Sequence, residues 1–179
     1  MKIVSCGPCV RSKGIAFAAD VVLKTKSEIS IDWYGITRNS LHDIELWDKL
    51  ITSESVKSGR MRLLPWSDNL LENLKHYDCY VNFSVEFDSL PTIVMEAIME
   101  GVVPICGDLG GAKEMIPTNL YQDLVYVSSD QFDCLSKIEH FNNSDRKYRS
   151  KLVQKLSEHQ RKNFSFEIQS NILWNYLNA

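Results

Sequence analysis

With 179 residues, 44% of them hydrophobic and 24% charged, the chain is long enough to bury a core and too apolar to stay disordered. A formal net charge of −3 provides no basic surface for nucleic acid. The apolar runs are far shorter than the roughly 20 residues that cross a bilayer. The chain opens with the strand-like run Met1-Lys2-Ile3-Val4 and lacks the pattern of a secretory signal peptide. We therefore expect one globular domain, residues 1–179.

Short apolar runs alternate with longer amphipathic stretches along the chain. The predicted strands are 2–6, 29–34, 60–64, 79–83, 102–106 and 124–127. The predicted helices are 13–26, 41–53, 69–77, 91–100 and 130–141, followed by two C-terminal helices at 144–160 and 166–177. Alternation of strand and helix with short connections predicts an α/β fold, a Rossmann-like, doubly wound parallel sheet of about six strands with C-terminal helices.

The last predicted helix is unusually apolar. It carries Ile168, Trp174 and Leu177 among other hydrophobic residues. A free tail would not keep so much apolar surface. We expect this helix to pack on the body of the domain or on a missing partner domain.

The chain has five cysteines, an odd number, and three of them lie in apolar runs. This usage favours reduced thiols in the cytoplasm over a disulfide framework. A single Cys-x-x-Cys pair with four scattered histidines leaves a tetrahedral zinc site short of ligands, so no metal site is predicted.

Residues 84–114 contain the densest chemistry. Asp88 lies in the loop after the fourth predicted strand, and Glu96 lies nearly two turns inside the next helix. The loop Ser89-Leu90-Pro91-Thr92 leads into that helix, whose free N–H groups and positive dipole end favour a phosphate. Gly110 and Gly111 would let the backbone approach a ligand in a second loop at the same sheet edge. We predict an anion site beyond the carboxyl ends of the strands.

Each of these residues alone has a commoner structural explanation, such as a helix cap or a turn, but together they form a known pattern. The spacing Asp88-x7-Glu96-Ala97, followed by Gly110-Gly111-x-x-Glu114, resembles the C-terminal, donor-binding domain of the retaining glycosyltransferases of family 4, which have the GT-B fold. The resemblance extends over the whole chain and includes the segment Asn-Phe-Ser-Phe-Glu at 163–167.

The resemblance implies a function for the chain as a whole. It implies retaining, metal-independent hexosyl transfer from a UDP- or GDP-sugar, in polysaccharide or glycan biosynthesis. Residues 1–179 would be the nucleotide-sugar-binding half, and a glycan or lipid-linked acceptor would bind to a missing N-terminal domain. The half alone would therefore be inactive. The implied location is the cytoplasm or the inner face of the membrane.

The resemblance also implies roles for single residues. Glu96 would hydrogen-bond the ribose hydroxyls of the nucleotide. Asp88, where the family usually has a longer Glu, would contact the sugar hydroxyls, and Glu86 could serve instead. Backbone N–H groups of residues 90–93 would meet the diphosphate or the sugar, and Trp66 would lie near the base.

Residues 5–14, Ser-Cys-Gly-Pro-Cys-Val-Arg-Ser-Lys-Gly, keep only part of the family's first motif, which is Gly-Arg, four residues, then Lys-Gly. Gly7 and Lys13 are in place, but Pro8 stands where the Arg is expected. Lys13 would neutralise the departing diphosphate, with Arg11 as the candidate for the second cation. If Arg11 does not reach the site, we expect a weak or inactive enzyme.

Other functions stay open at this point. The altered first motif and the missing half also fit a non-catalytic nucleotide-sugar-binding module, and a sugar-nucleotide epimerase could use the same fold. The pair Cys6-Gly7-Pro8-Cys9 is also typical of thiol oxidoreductases. Against that interpretation, Ser5 replaces the usual Trp, and Gly14 disfavours an unbroken helix after the second cysteine.

Overall fold

The computed structural model describes residues 1–36 and 43–177. Within these residues the strands are Lys2–Cys6 (β1), Ser30–Tyr34 (β2), Met61–Leu64 (β3), Cys79–Asn82 (β4), Val103–Gly107 (β5) and Val125–Tyr126 (β6). All pair in parallel and form one sheet in the order β3-β2-β1-β4-β5-β6. The predicted Rossmann-like α/β fold is therefore confirmed, and each predicted strand end agrees within one residue.

The α-helices in the described residues are Ile15–Lys24 (α1), Ile44–Ile51 (α2), Glu54–Lys57 (α3), Leu70–Leu74 (α4), Thr92–Met99 (α5), Tyr121–Leu124 (α6), Gln131–Asn143 (α7), Arg146–Phe164 (α8) and Phe166–Leu177 (α9). The short helices α3 and α6 were not predicted from the sequence. Positions 41 and 42 of the predicted helix 41–53 lie outside the described residues. None of the helices in the described part of the chain is long and apolar enough to cross a membrane.

The helices cover the sheet in two layers. One layer contains α1, which packs against α3 and α7, and the other contains α5, which packs against α4 and α8. Between them, Val4, Ile31, Val81 and Ile105 have no exposed surface. A parallel sheet buried on both faces requires such continuous apolar strands, and their burial supplies most of the stability of the domain.

The predicted helix 41–53 is shorter in the structure and is followed by a separate turn of helix. The side chain of Asp43 caps α2 by accepting a hydrogen bond from the Leu46 N–H at 2.9 Å. Ser53 has an extended backbone (φ −67°, ψ 152°), which interrupts the helical path before α3 begins. Local backbone geometry therefore ends the predicted helix at Ile51 and separates it from α3, which the sequence did not predict.

A buried carboxylate joins the edge strand β3 to the rest of the sheet. Asp32 accepts a hydrogen bond from Arg62 Nε at 2.6 Å and another from the Tyr77 hydroxyl at 2.7 Å. Burial alone would raise the pKa of Asp32, but these hydrogen bonds outweigh it and hold the pKa below its usual range. This carboxylate thus stabilises the fold above its ordinary pKa, and its contribution is lost as the pH falls through the lowered value.

The C-terminal helix α9 contacts α8, from which the single residue Ser165 separates it, so its packing on the body of the domain stays a prediction. The helix leaves large apolar side chains exposed, namely Phe166, Trp174, Tyr176 and Leu177.

Candidate functional site

A cleft of about 470 Å³ opens at the carboxyl edge of the sheet. It lies where β1 and β4 are neighbours, which is the point at which the strand order reverses. Open α/β sheets bind ligands at such a point because the two adjoining loops diverge there and leave a crevice. Most residues singled out from the sequence line this cleft: Gly7, Lys13, Trp66, Asp88, Leu90, Pro91, Thr92 and Glu96.

The turn after β1 contributes Gly7 to the lining of the cleft. Gly7 has a φ of +149°, and a Cβ at this position would lie 3.2 Å from Cγ of Lys13. The Gly7 carbonyl accepts a hydrogen bond from Nε1 of the buried Trp33 at 2.8 Å, and its N–H donates to the Tyr34 carbonyl at 2.9 Å. The turn is thus anchored to β2, and its glycine makes room for the lysine stem.

Lys13 and Asp88 meet across the cleft. Nζ of Lys13 lies 2.6 Å from Oδ2 of Asp88, and these side chains are 35% and 21% exposed. The lysine ends a 3-10 turn that Gly14 closes with a φ of +72°, where any Cβ would lie 1.9 Å from the Phe83 carbonyl oxygen. Close packing against the segment after β4 therefore places the ammonium beside the loop that carries Asp88.

The amino end of α5 forms one side of the cleft. The helix begins at Thr92, and Pro91 precedes it with a φ of −72°. Leu90, Pro91, Thr92 and Ile93 all line the cleft. The first N–H groups of a helix lack intrahelical partners and carry a partial positive charge, so this side of the cleft favours an anion.

Glu96 lies one turn further along α5 and is half-buried at the cleft. It lines the same cleft as Asp88, so both carboxylates face one space, as the sequence predicted. Cys6, the last residue of β1, and Tyr80, within β4, also line this part of the cleft. Carboxylates in this position are suited to accept hydrogen bonds from the hydroxyl groups of a ligand.

Gly110 and Gly111 are outside the residues that line the cleft and pack against the loop that carries Asp88, so the expected approach to a ligand is not seen at this cleft. A Cβ on Gly110 would lie 2.4 Å from the Asp88 carbonyl oxygen, and one on Gly111 would lie 2.0 Å from that of Ser89. The Gly111 N–H also donates to the Asp88 carbonyl at 2.9 Å. The close approach is to the protein's own loop, and Ser89 faces these glycines from outside the cleft lining. The pair holds Asp88 in place.

Arg11 also lies away from the position expected of it. Its Nε pairs with Oδ2 of Asp43 at 2.9 Å, its side chain is 70% exposed, and it lies outside the cleft lining. The 3-10 turn points Lys13 inward and Arg11 toward the start of α2, because residues two apart in a tight turn face different directions. In this arrangement Arg11 does not replace the missing Arg at position 8.

The cysteine pair lacks the environment of a redox site. Burial raises the pKa of Cys6 to about 11 and also raises the pKa of Cys9. A catalytic Cys-x-x-Cys needs the opposite shift, because the thiolate is the nucleophile. Both thiols are free, and α1 starts only at Ile15. The structure thus gives no support to the thiol oxidoreductase interpretation.

Other residues of the cleft were not identified from the sequence. Asn82 ends β4 and Ser84 follows it, Asp68 lies in the loop after β3, and Leu71 lies in α4. Their positions at or beyond the carboxyl ends of strands were the available signal, because such residues meet at the carboxyl edge of a parallel sheet. Among residues 1–36 and 43–177, no group of three or more His, Cys, Asp or Glu side chains is arranged to hold a metal ion.

No family model and no curated protein matches the sequence. The structure, in contrast, matches solved structures over nearly its whole length. Anabaena HepE, solved in complex with UDP, has a TM-score of 0.83 and 12% identity, with 99% of this chain and 49% of HepE covered. A glycosyltransferase from Rickettsia africae has a TM-score of 0.80 and 16% identity, with 96% and 46% covered. For TarM the TM-score is 0.77 and the identity 17%, with 98% and 34% covered.

The chain shares the Rossmann-like fold of these structures. At identities this low the likeness shows the fold alone. The chain spans less than half of the length of each of these three proteins.

Proposed function

We propose that this chain is the donor-binding domain of a GT-B glycosyltransferase and binds a nucleotide-sugar in the cleft between β1 and β4. One observation carries the proposal: Lys13, Asp88, Glu96 and the amino end of α5 line a single cleft at the point where the strand order reverses. The structures of HepE with UDP and with UDP-glucose, which share this fold, support it.

In the proposed complex the diphosphate binds between Lys13 and the amino end of α5. The ammonium and the helix dipole stabilise the negative charge that grows on the leaving nucleoside diphosphate. An ammonium has three donors, so Lys13 can contact a phosphate oxygen while it keeps Asp88 as a partner. The protein thus supplies the positive charge for the leaving group, and we propose a transfer that needs no metal.

The two carboxylates orient the remaining parts of the donor. Glu96, on the second turn of α5, accepts hydrogen bonds from the ribose hydroxyls. Asp88, which the glycine pair holds in place, accepts hydrogen bonds from the hydroxyls of the transferred hexose. We propose that the transfer retains the anomeric configuration, which requires the acceptor oxygen to bond to the anomeric carbon on the face that the nucleoside diphosphate leaves, with the acceptor proton passing to the departing diphosphate.

The complete reaction needs more protein than these 179 residues. Because the chain spans less than half of HepE, the Rickettsia glycosyltransferase and TarM, we propose that a second domain binds the glycan or lipid-linked acceptor. The whole would act in polysaccharide or glycan biosynthesis.

Calorimetry of the 179-residue chain with UDP, GDP and ADP tests the proposal. At least one of them should bind, Glu96→Ala should abolish that binding, and Lys13→Ala should weaken it by about tenfold or more. Exposed residues outside the cleft provide matched controls, Glu100→Ala just after the same helix and Lys147→Ala on α8, and both should bind normally. Absence of binding by all three nucleotides would refute the proposal.

A second candidate, a non-catalytic nucleotide-sugar-binding module, is favoured by Pro8 and by the engagement of Arg11 with Asp43. In that case the cleft holds a donor but lacks the second cation for the leaving group. Pro8→Arg should then bind UDP or GDP about tenfold tighter in calorimetry. An unchanged affinity would show that Pro8 is not a lost phosphate contact.

A further inference from the structure

The segment after β3 forms the wall of the cleft that faces the loops after β1 and β4, and its chemistry differs from theirs. The side chain of Trp66 is 60% exposed, and Leu71 is also exposed beside it. Asp68 adds a carboxylate to the same wall. If the diphosphate lies at Lys13 and the ribose at Glu96, this aromatic and apolar wall is the part of the cleft that meets the nucleobase. This assignment rests on the function proposed above.

Trp66 and Asp68 form a pair with defined geometry. Nε1 of Trp66 donates a hydrogen bond to Oδ1 of Asp68 at 3.0 Å. The contact is at the edge of the indole, so the faces of the ring remain available to stack on a base. Within residues 1–36 and 43–177, the hydrogen bond to the Asp68 carboxylate is made at Oδ1, which leaves Oδ2 to accept a hydrogen bond from a ligand.

The nucleobases differ in whether one of their edges presents hydrogen-bond donors that suit a carboxylate. Guanine presents two adjacent donors, N1–H and the 2-amino group, which match the two oxygens of one carboxylate. Uracil presents a single N3–H between two carbonyl oxygens, which repel a carboxylate. Adenine places the acceptor N1 beside its amino group. A carboxylate at the base therefore favours guanine over both of the others.

We propose that Trp66 and Asp68 form a guanine-selective subsite, so that the donor is a GDP-sugar. Trp66 stacks on the purine, and Asp68 accepts from N1–H and the 2-amino group. HepE was solved with UDP, so a preference for UDP is the competing outcome.

Calorimetry with four nucleoside diphosphates tests the subsite. GDP should bind about tenfold or more tighter than UDP, and tighter than inosine diphosphate, which lacks the 2-amino group. Asp68→Asn should lose most of its affinity for GDP, keep its affinity for UDP, and gain affinity for xanthosine diphosphate. The asparagine amide can donate to the carbonyl oxygen that xanthine carries at C2. A gain of binding cannot come from unfolding, and Asp48→Asn, an exposed acid on α2, is the matched control.

The outcomes separate this inference from the proposed function. If UDP binds as tightly as GDP, or if Asp68→Asn weakens GDP and UDP by the same factor, the guanine subsite is refuted while nucleotide binding stands. If none of the four nucleotides binds, both proposals fail.

Discussion

Asp88 holds the ammonium of Lys13 at 2.6 Å, in the place where a diphosphate would also contact that ammonium. Both side chains are partly exposed, so the pair itself contributes little to stability. The pair matters for the net charge of the cleft, because the negative charge of Asp88 offsets the positive charge of Lys13 that an anionic ligand needs.

Asp88→Asn should therefore bind nucleoside diphosphates about threefold tighter than the native chain. The substitution keeps the shape of the side chain and removes a negative charge beside Lys13. Calorimetry at low and high salt measures the effect, which should shrink as salt screens the cleft. Asp48→Asn should show no change, and weaker binding by Asp88→Asn would mean that the carboxylate contacts the nucleoside diphosphate itself.

Cys6 offers a second test at the scale of a residue, because it lines the cleft and burial raises its pKa to about 11. Below this pKa the group is a neutral thiol, so its alkylation by iodoacetamide should rise about tenfold per pH unit from pH 7 toward pH 10. A bound nucleotide should slow the reaction. Mass spectrometry of the peptide that carries residue 6 measures it, with Cys6→Ser as the blank. A plateau already at pH 7 would indicate an activated thiolate and revive the redox interpretation.

At the scale of elements, the start of α1 shows how packing changes a sequence-based boundary. The sequence predicted a helix from residue 13, but the helix starts at Ile15 because Gly14 takes a left-handed conformation. That conformation turns the chain tightly against the Phe83 carbonyl and directs Lys13 into the cleft. The periodicity of apolar residues could not show this, because the Phe83 contact lies far along the chain.

Gly14→Ala should lower the free energy of unfolding by clearly more than about 1 kcal/mol. Its Cβ would lie 1.9 Å from the Phe83 carbonyl oxygen, in addition to the strain of a positive φ. Gly59→Ala is a matched control, since Gly59 has a φ of +74° and a Cβ there meets no atom within 4 Å. Urea unfolding of both variants separates the clash from the backbone strain. Equal losses would show that the turn can move away from Phe83.

At the scale of the whole molecule, the site and the exposed apolar surface lie on different elements. The cleft is built from the loops after β1, β3 and β4 and from α5, and none of the described residues of α9 lines it. The exposed Phe166 and Tyr176 on α9 therefore have no part in the cleft.

A chain that ends at Ser165 should bind its nucleotide with unchanged affinity, because the truncation removes no residue of the cleft. Calorimetry measures the affinity, and circular dichroism confirms that the shortened chain is folded. Glu96→Ala in the shortened chain is the control for specific binding. A folded but non-binding truncated chain would contradict the separation of α9 from the site.

The sequence by itself determined the alternation of strands and helices and the identity of the carboxylates at positions 88 and 96. These features depend on near neighbours, since apolar periodicity and helix punctuation act over a few residues. The tertiary structure decided the strand order and joined Lys13 to Asp88, 75 positions apart. It also placed Asp68 in the cleft and Arg11 outside it. The physical reason is that loops become neighbours only when long-range packing orders the strands. That order depends on contacts between residues far apart in the chain, so a short segment of sequence cannot predict it.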